Sequence, residues 1–99
     1  MDVEFADDNL DKLETDLSFN DGRSEAIVRA FRKRMQLIRA AVDEPAFCQL
    51  RSLHFEKLKG DRSHQFSMRL NDQWRLILEI RKGNPKNTIR IVGIEDYHP

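Results

Sequence analysis

Ninety-nine residues allow one domain with a modest core, and no second one. Although 34% of the residues are charged, the apolar ones recur with clear periods, which excludes a disordered chain. No apolar run approaches the roughly 20 residues of a membrane span, and the acidic start Met1-Asp2-Val3-Glu4 is unlike a signal peptide, so a cytoplasmic protein is expected.

The formal net charge of +0 hides a strong asymmetry. Residues 1–21 hold eight acidic residues against one lysine, a net of −7, so residues 22–99 carry +7. A basic body with an acidic flap points to a polyanion such as nucleic acid as partner, unless the two parts neutralise each other within the fold. The single cysteine, Cys48, excludes an internal disulfide, and its place between Phe47 and Leu50 predicts a buried thiol.

Taken in order, Val3 and Phe5 alternate with Asp2 and Glu4 and predict a short first strand. Asp7 to Asp16 predicts a helix, with Leu10, Leu13 and Leu17 at helical spacing and acids near its start, where the helix dipole favours them. Ser18 to Gly22 is a loop. From Ser24, an N-cap, to about Val42 the spacing predicts the longest helix, its apolar stripe formed by Ile27, Phe31, Met35, Ile38 and Val42 beside Ala30, Leu37 and Ala41. Its other face carries Arg29, Arg32, Lys33, Arg34 and Arg39, either a polyanion dock or a solvated face. Asp43 caps a further short helix with Pro45 in its first turn and Phe47 and Leu50 pointing inward. Alternating residues follow from Arg51 to Lys59, then a break at Gly60-Asp61.

The next two segments predict a β-hairpin. Phe66, Met68 and Leu70 alternate with Gln65, Ser67 and Arg69, and Trp74, Leu76, Leu78 and Ile80 alternate with Arg75, Ile77 and Glu79. Pairing like with like requires the odd loop Asn71 to Gln73, so Leu70 faces Trp74 and Arg69 faces Arg75. Two arginines opposed on one sheet face repel, unless an anion lies between them or carboxylates surround them. Lys82 to Asn87 is a turn-rich connection, and Thr88 to Glu95 is the last strand, with Ile89, Ile91, Val92 and Ile94 largely buried. The order predicts a single α+β domain over residues 1–99: an N-terminal strand and two to three helices packed on one face of a mainly antiparallel four-stranded sheet. The other face is left for function.

His54, His64 and His98 lie far apart with no metal-binding spacing, and no phosphate-cradling glycine loop is present, so neither metal nor cofactor is expected. Lys, Arg, His, Asp and Tyr at the strand ends suit metal-free RNA cleavage, in which the ribose 2′-hydroxyl attacks its own phosphate. His98 has the intrinsic pKa for acid or base work, and Asp96 or Tyr97 can orient it or share the role. Arg75 and Arg69 would clamp phosphate, with His54, Lys57 and Lys59 adding charge or proton transfer. Trp74 and Phe66 have faces that stack bases, but their alternation assigns them to the core.

Through Leu58-Lys59-Gly60-Asp61-Arg62, the run Ser67-Met68-Arg69-Leu70-Asn71-Asp72-Gln73-Trp74-Arg75 and the closing Glu95-Asp96-Tyr97-His98, the sequence resembles the RelE/ParE superfamily of bacterial toxins, and within it the HigB-like "plasmid maintenance killer" toxins. The resemblance implies a RelE-like fold and a small ribonuclease that cuts mRNA in the ribosomal A site. It also implies a HigA-like helix-turn-helix antitoxin that silences the toxin, and operator DNA bound through the toxin–antitoxin complex. By motif, Asp96, Tyr97 and His98 take the catalytic C-terminal positions, Arg75 the phosphate-contacting arginine, and Lys59 the basic residue before Gly-Asp. Lys57, Arg62 and Arg69 are further candidates for contact with RNA phosphate. His54 lies five residues before Lys59, where the family's catalytic histidine lies three before, and Glu56 occupies that nearer place.

Two other readings are carried beside this one. A ParE-like relative would poison DNA gyrase and cut nothing, though such toxins generally lack acid/base residues at the chain end. A catalytically idle toxin fold would only bind its antitoxin or operator.

Overall fold

The computed structural model describes residues 1–96, without the side chain of Cys48, so the predicted burial of that thiol and the expectations for Tyr97 and His98 lie outside the described residues. Strand β1 (Asp2–Phe5) leads into helix α1 (Asp8–Thr15), and a loop connects it to helix α2 (Glu25–Ala40). The short helix α3 (Pro45–Cys48) and a 3-10 turn (Arg51–Leu53) precede strand β2 (Glu56–Lys57), and a second such turn (Gly60–Arg62) leads to β3 (Gln65–Arg69), β4 (Trp74–Arg81) and β5 (Thr88–Asp96). The sheet order is β1-β5-β4-β3-β2. β1 runs parallel to β5 and every other neighbour is antiparallel.

The helices start where the sequence supplies oxygen to orphan backbone N–H groups. The Asp7 carboxylate accepts from Leu10 N at 3.0 Å and the Ser24 hydroxyl from Ile27 N at 3.3 Å. α2 then buries Ile27, Val28, Phe31, Met35 and Ile38, and these join Leu10 and Leu13 of α1 in one core. The sheet meets them with Met68, Leu76, Leu78, Ile89, Ile91 and Ile94, every second residue of its strands apart from one irregularity in β5.

Four sequence expectations change here. The sheet has five strands rather than four: within the alternating stretch Arg51 to Lys59, Arg51–Leu53 is a 3-10 turn and only Glu56 and Lys57 form a strand, a two-residue edge paired with Ser67 and Phe66. Leu17 is 81% exposed instead of extending the α1 stripe, because the Asp16 carboxylate draws in both the backbone N and the hydroxyl of Ser18 and turns the chain out of the helix. Val42 is 90% exposed because α2 stops two residues earlier. There the Met1 ammonium donates to the carbonyls of Ile38, Arg39 and Ala41 at 3.1, 2.8 and 2.7 Å, taking acceptors that a helix end leaves without partners. Leu50 follows α3 in extended backbone and is exposed rather than inward-pointing.

The predicted hairpin register is the observed one: Arg69 pairs with Arg75, and Leu70 N donates to Trp74 O at 2.9 Å. In β5, Ile77 pairs with Gly93 and Leu78 with Ile91, which leaves Val92 as the extra residue of a β-bulge and half-buried. The bulge shifts the alternation, so Ile89, Ile91 and Ile94 share the core face while Glu95 joins Arg75 on the other.

Part of the acidic segment is paired with cations of the basic body, while Asp2, Asp7, Asp8, Asp11 and Asp16 are exposed. Arg39 of α2 forms a two-point pair with Glu14 at 2.6 and 2.7 Å, and Glu4 on β1 pairs with Arg81 at 3.1 Å. Arg32 donates to the carbonyls of Leu13, Asp16 and Phe19, tying the α1–α2 loop to α2. Much of the α2 charge run is therefore used within the fold, and the acids sit beside the helices and β1.

Candidate functional site

Alternation sends Ser67 of β3, Arg75 and Ile77 of β4 and Glu95 of β5 to the sheet face opposite the helices. With Leu58 and Arg62 they line a hollow of about 290 Å³, and Asp96 lies at its edge. A larger hollow, about 600 Å³, lies on the helical layer between the α1–α2 loop and α2, but there Arg32 is tied to backbone carbonyls and Arg29 to Glu25. Chemistry rather than size selects the sheet site.

Arg75 is 5% exposed, yet it is a cation on the face without helices. Its Nε and Nη2 donate to the Ser67 hydroxyl at 3.2 and 2.8 Å, and Nη2 also donates to the His54 carbonyl. Ser67 is itself 3% exposed, so these bonds lie away from water and fix the plane of the guanidinium. His54 presents its carbonyl from left-handed backbone, φ 46°, which costs a side-chain-bearing residue about 1 kcal/mol. Replacing His54 by glycine is therefore expected to raise stability by up to about 1 kcal/mol in urea denaturation while keeping the Arg75 contact.

The repulsion between Arg69 and Arg75 is relieved by carboxylates. Arg69 pairs with Asp72 in the hairpin loop, and Arg75 faces Glu95 across its other flank. Arg34 reaches from α2 to the Arg69 carbonyl at 2.8 Å, and burial, followed by the nearby Arg69 charge, pulls its guanidinium below the ordinary value.

Arg62 leaves the turn before β3 and spans the sheet. Its Nε donates to Gln65 Oε1 at 2.9 Å on β3, while Nη1 and Nη2 donate to Glu95 Oε1 and Oε2 at 3.0 and 2.7 Å on β5. Because β4 lies between those strands, the side chain forms a strap over it. Hydrogen bonding to Glu95 raises the Arg62 pKa above its ordinary value.

Of the residues singled out from sequence, Arg75, Arg62 and Asp96 come together at this hollow, and Arg69 stands beside it in register. Asp96 accepts from Gln73 Nε2 at 3.3 Å and is followed directly by Tyr97 and His98, which lie outside the described residues. Lys57 pairs with Phe66, on the core side of the pleat, whereas its neighbour Glu56 shares the Ser67 side. Lys59 is exposed immediately before the Gly60–Arg62 turn, which Gly60 opens at φ 70°. The His54 side chain is exposed, and its carbonyl makes the contact with Arg75. Phe66 stacks on Phe55 with ring centroids 5.1 Å apart on the core side, and Trp74 packs against the core.

Sequence reasoning missed Ser67 and Glu95 as parts of the site. Ser67 stands two residues from Arg69 on the same side of its strand, a signal that was available; Glu95 needed the bulge. Among the described residues, no three His, Cys, Asp or Glu side chains converge as a metal site.

The sequence model of the HigB-like toxins, RelE-like toxins of type II toxin-antitoxin systems, matches residues 3–97. The chain belongs to this family. Comparison with curated proteins finds no match. Among solved structures, the YoeB/ParE toxin from Agrobacterium tumefaciens is similar, at a TM-score of 0.60 and 14% identity over 99% of this chain and 100% of that one. At that identity the likeness speaks for the fold, and it agrees with the RelE-like α+β architecture. A HigB-like toxin implies an antitoxin partner. Among the described residues, no helix of this toxin is long and apolar enough to cross a membrane.

Proposed function

We propose that this HigB-like toxin is a ribosome-dependent, metal-independent mRNA endonuclease that inhibits translation in the cytoplasm. The observation that carries the reading is the Arg75 guanidinium, held in one plane by Ser67 and the His54 carbonyl in a hollow lined by the end of β5, whose last residue, Asp96, directly precedes Tyr97-His98 in the sequence.

Cleavage by the 2′-hydroxyl needs a proton acceptor, a cation for the phosphorane charge and a proton donor for the departing 5′-oxygen. Arg75 supplies the cation with no reorganisation, because its fork is already oriented. Histidine is the side chain whose ordinary pKa lies nearest neutrality, so His98 serves as base or acid, with Tyr97 and Asp96 orienting it or sharing the transfer. Arg62, Arg69 and Lys59 extend positive charge around the hollow, Lys57 adds charge at the β2 edge, and His54 contributes chiefly its carbonyl. A HigA-like helix-turn-helix antitoxin would silence the toxin, and the pair would bind operator DNA through the antitoxin.

The test is primer extension on a message in translated and untranslated form after induction of the toxin, with His98→Ala beside wild type. New 5′ ends confined to the translated message support the reading. Undiminished cleavage in His98→Ala removes the role given to the tail.

The YoeB/ParE name of the similar structure keeps a second reading in view, poisoning of DNA gyrase. That reading expects a DNA-damage response with intact mRNA. An idle binding fold expects neither effect, with antitoxin binding preserved.

A further inference from the structure

We propose that Glu95 is a built-in stand-in for an RNA phosphate, occupying Arg62 until a substrate phosphodiester displaces it. This rests on the reading of the open face as an RNA site, and it gives that site a selectivity device.

The geometry is that of an exchangeable anion. Two guanidinium nitrogens meet two carboxylate oxygens at 3.0 and 2.7 Å, the fork-to-fork arrangement that a phosphate's non-bridging oxygens reproduce. Both side chains are 43% exposed, so water and solutes reach the pair. Ion pairs of that exposure are weak, which makes exchange for a phosphate inexpensive. The Nε–Gln65 bond holds Arg62 in place on its other side, so the guanidinium keeps its orientation when the carboxylate leaves. Glu95 also sits opposite Arg75 in the strand pairing and is far more exposed, so a strand approaching the hollow meets the Arg62–Glu95 pair before it meets Arg75. An isolated phosphate in solution gains little by displacing it. A strand delivered in position, as on a ribosome, offers several phosphates together and gains more.

The experiment measures binding apart from cleavage, by fluorescence anisotropy of a short, labelled RNA whose 2′-hydroxyls are methylated. Glu95→Gln, which is isosteric, is expected to bind about two- to fivefold tighter than wild type. Its salt dependence should be steeper, with the slope of log K against log salt larger in magnitude by up to about 0.7, since no carboxylate is freed to recapture a cation. Glu95→Asp retains the charge and should bind no tighter than wild type. In the Arg62→Ala background, Glu95→Gln should give no gain. The proposal is overturned by equal affinity and slope in wild type and Glu95→Gln, by a gain that persists without Arg62, or by a failure of every variant to bind. Thermal melts confirm that each variant is folded. A gain that requires Arg62 without mRNA cleavage in cells leaves the stand-in intact and removes the ribonuclease reading; cleavage with unchanged binding does the reverse.

Discussion

Replacement of Arg75 by alanine is expected to cut mRNA cleavage at least about a hundredfold and to lower stability by about 2–3 kcal/mol. Both effects come from the same atoms. The Ser67 hydroxyl and the His54 carbonyl each accept from this guanidinium, and alanine leaves them without that donor in a place where Ser67 is 3% exposed. Hydrogen bonds to a charged donor are worth more than neutral ones, and a buried acceptor left behind costs more still. Removing the charge relieves repulsion with Arg69, but Asp72 already screens that contact, so the gain is small.

Arg75→Lys separates the two effects. An ammonium keeps the charge but cannot supply Nε and Nη2 in one plane, so part of the stability should return while cleavage stays low. Urea denaturation and primer extension on the same preparations read the two quantities. An Arg75→Ala toxin that cleaves at the wild-type rate would remove this residue from the chemistry.

The second large effect belongs to the core. Phe31 has 0% exposure at the centre of the α2 stripe, where it contributes to the core shared by the helices and sheet. Truncation to alanine removes its burial and leaves a cavity that close-packed neighbours fill only in part, a loss of about 3–5 kcal/mol. A domain of this size has a total stability of about 5–15 kcal/mol, so the variant should melt on the order of 20 °C lower. Phe31→Leu should lose much less. Thermal unfolding followed by circular dichroism checks both, and a melting point for Phe31→Ala within a few degrees of wild type would contradict the assigned packing.

The hairpin and α2 were legible in the sequence because each rests on a local rule. Strict alternation on both sides of an odd loop leaves one good register, and a serine followed by a 16-residue amphipathic run leaves one good helix. The misplaced residues, Leu17, Val42 and Leu50, stand just beyond helix ends, where an Asx turn or a backbone change outweighs apolar spacing. The charge run on α2 could not be assigned from periodicity, because the acceptors of Arg32 lie 13 to 19 residues away in sequence. The same limit applies to the site. Arg75 announced itself through the opposed arginine in the next strand, whereas the Arg62–Glu95 strap joins residues 33 apart and depends on a bulge that composition does not signal. Lys57 is two residues from Lys59 in the sequence, but strand pairing sets it beside Phe66, on the opposite side of the pleat from Ser67.

That bulge sets which way the end of β5 faces. Val92 has no partner of its own in β4, and without it Gly93, Ile94 and Glu95 would follow Ile91 in unbroken alternation, still opposite Ile77, Leu76 and Arg75. Straightening the strand with Val92 retained is a different matter: Ile94 would turn towards solvent and Glu95 towards the core, exchanging a greasy surface for a buried acid in a single step. Natural variation in this stretch should therefore tolerate loss of the bulged residue, with the facing of Ile94 and Glu95 kept.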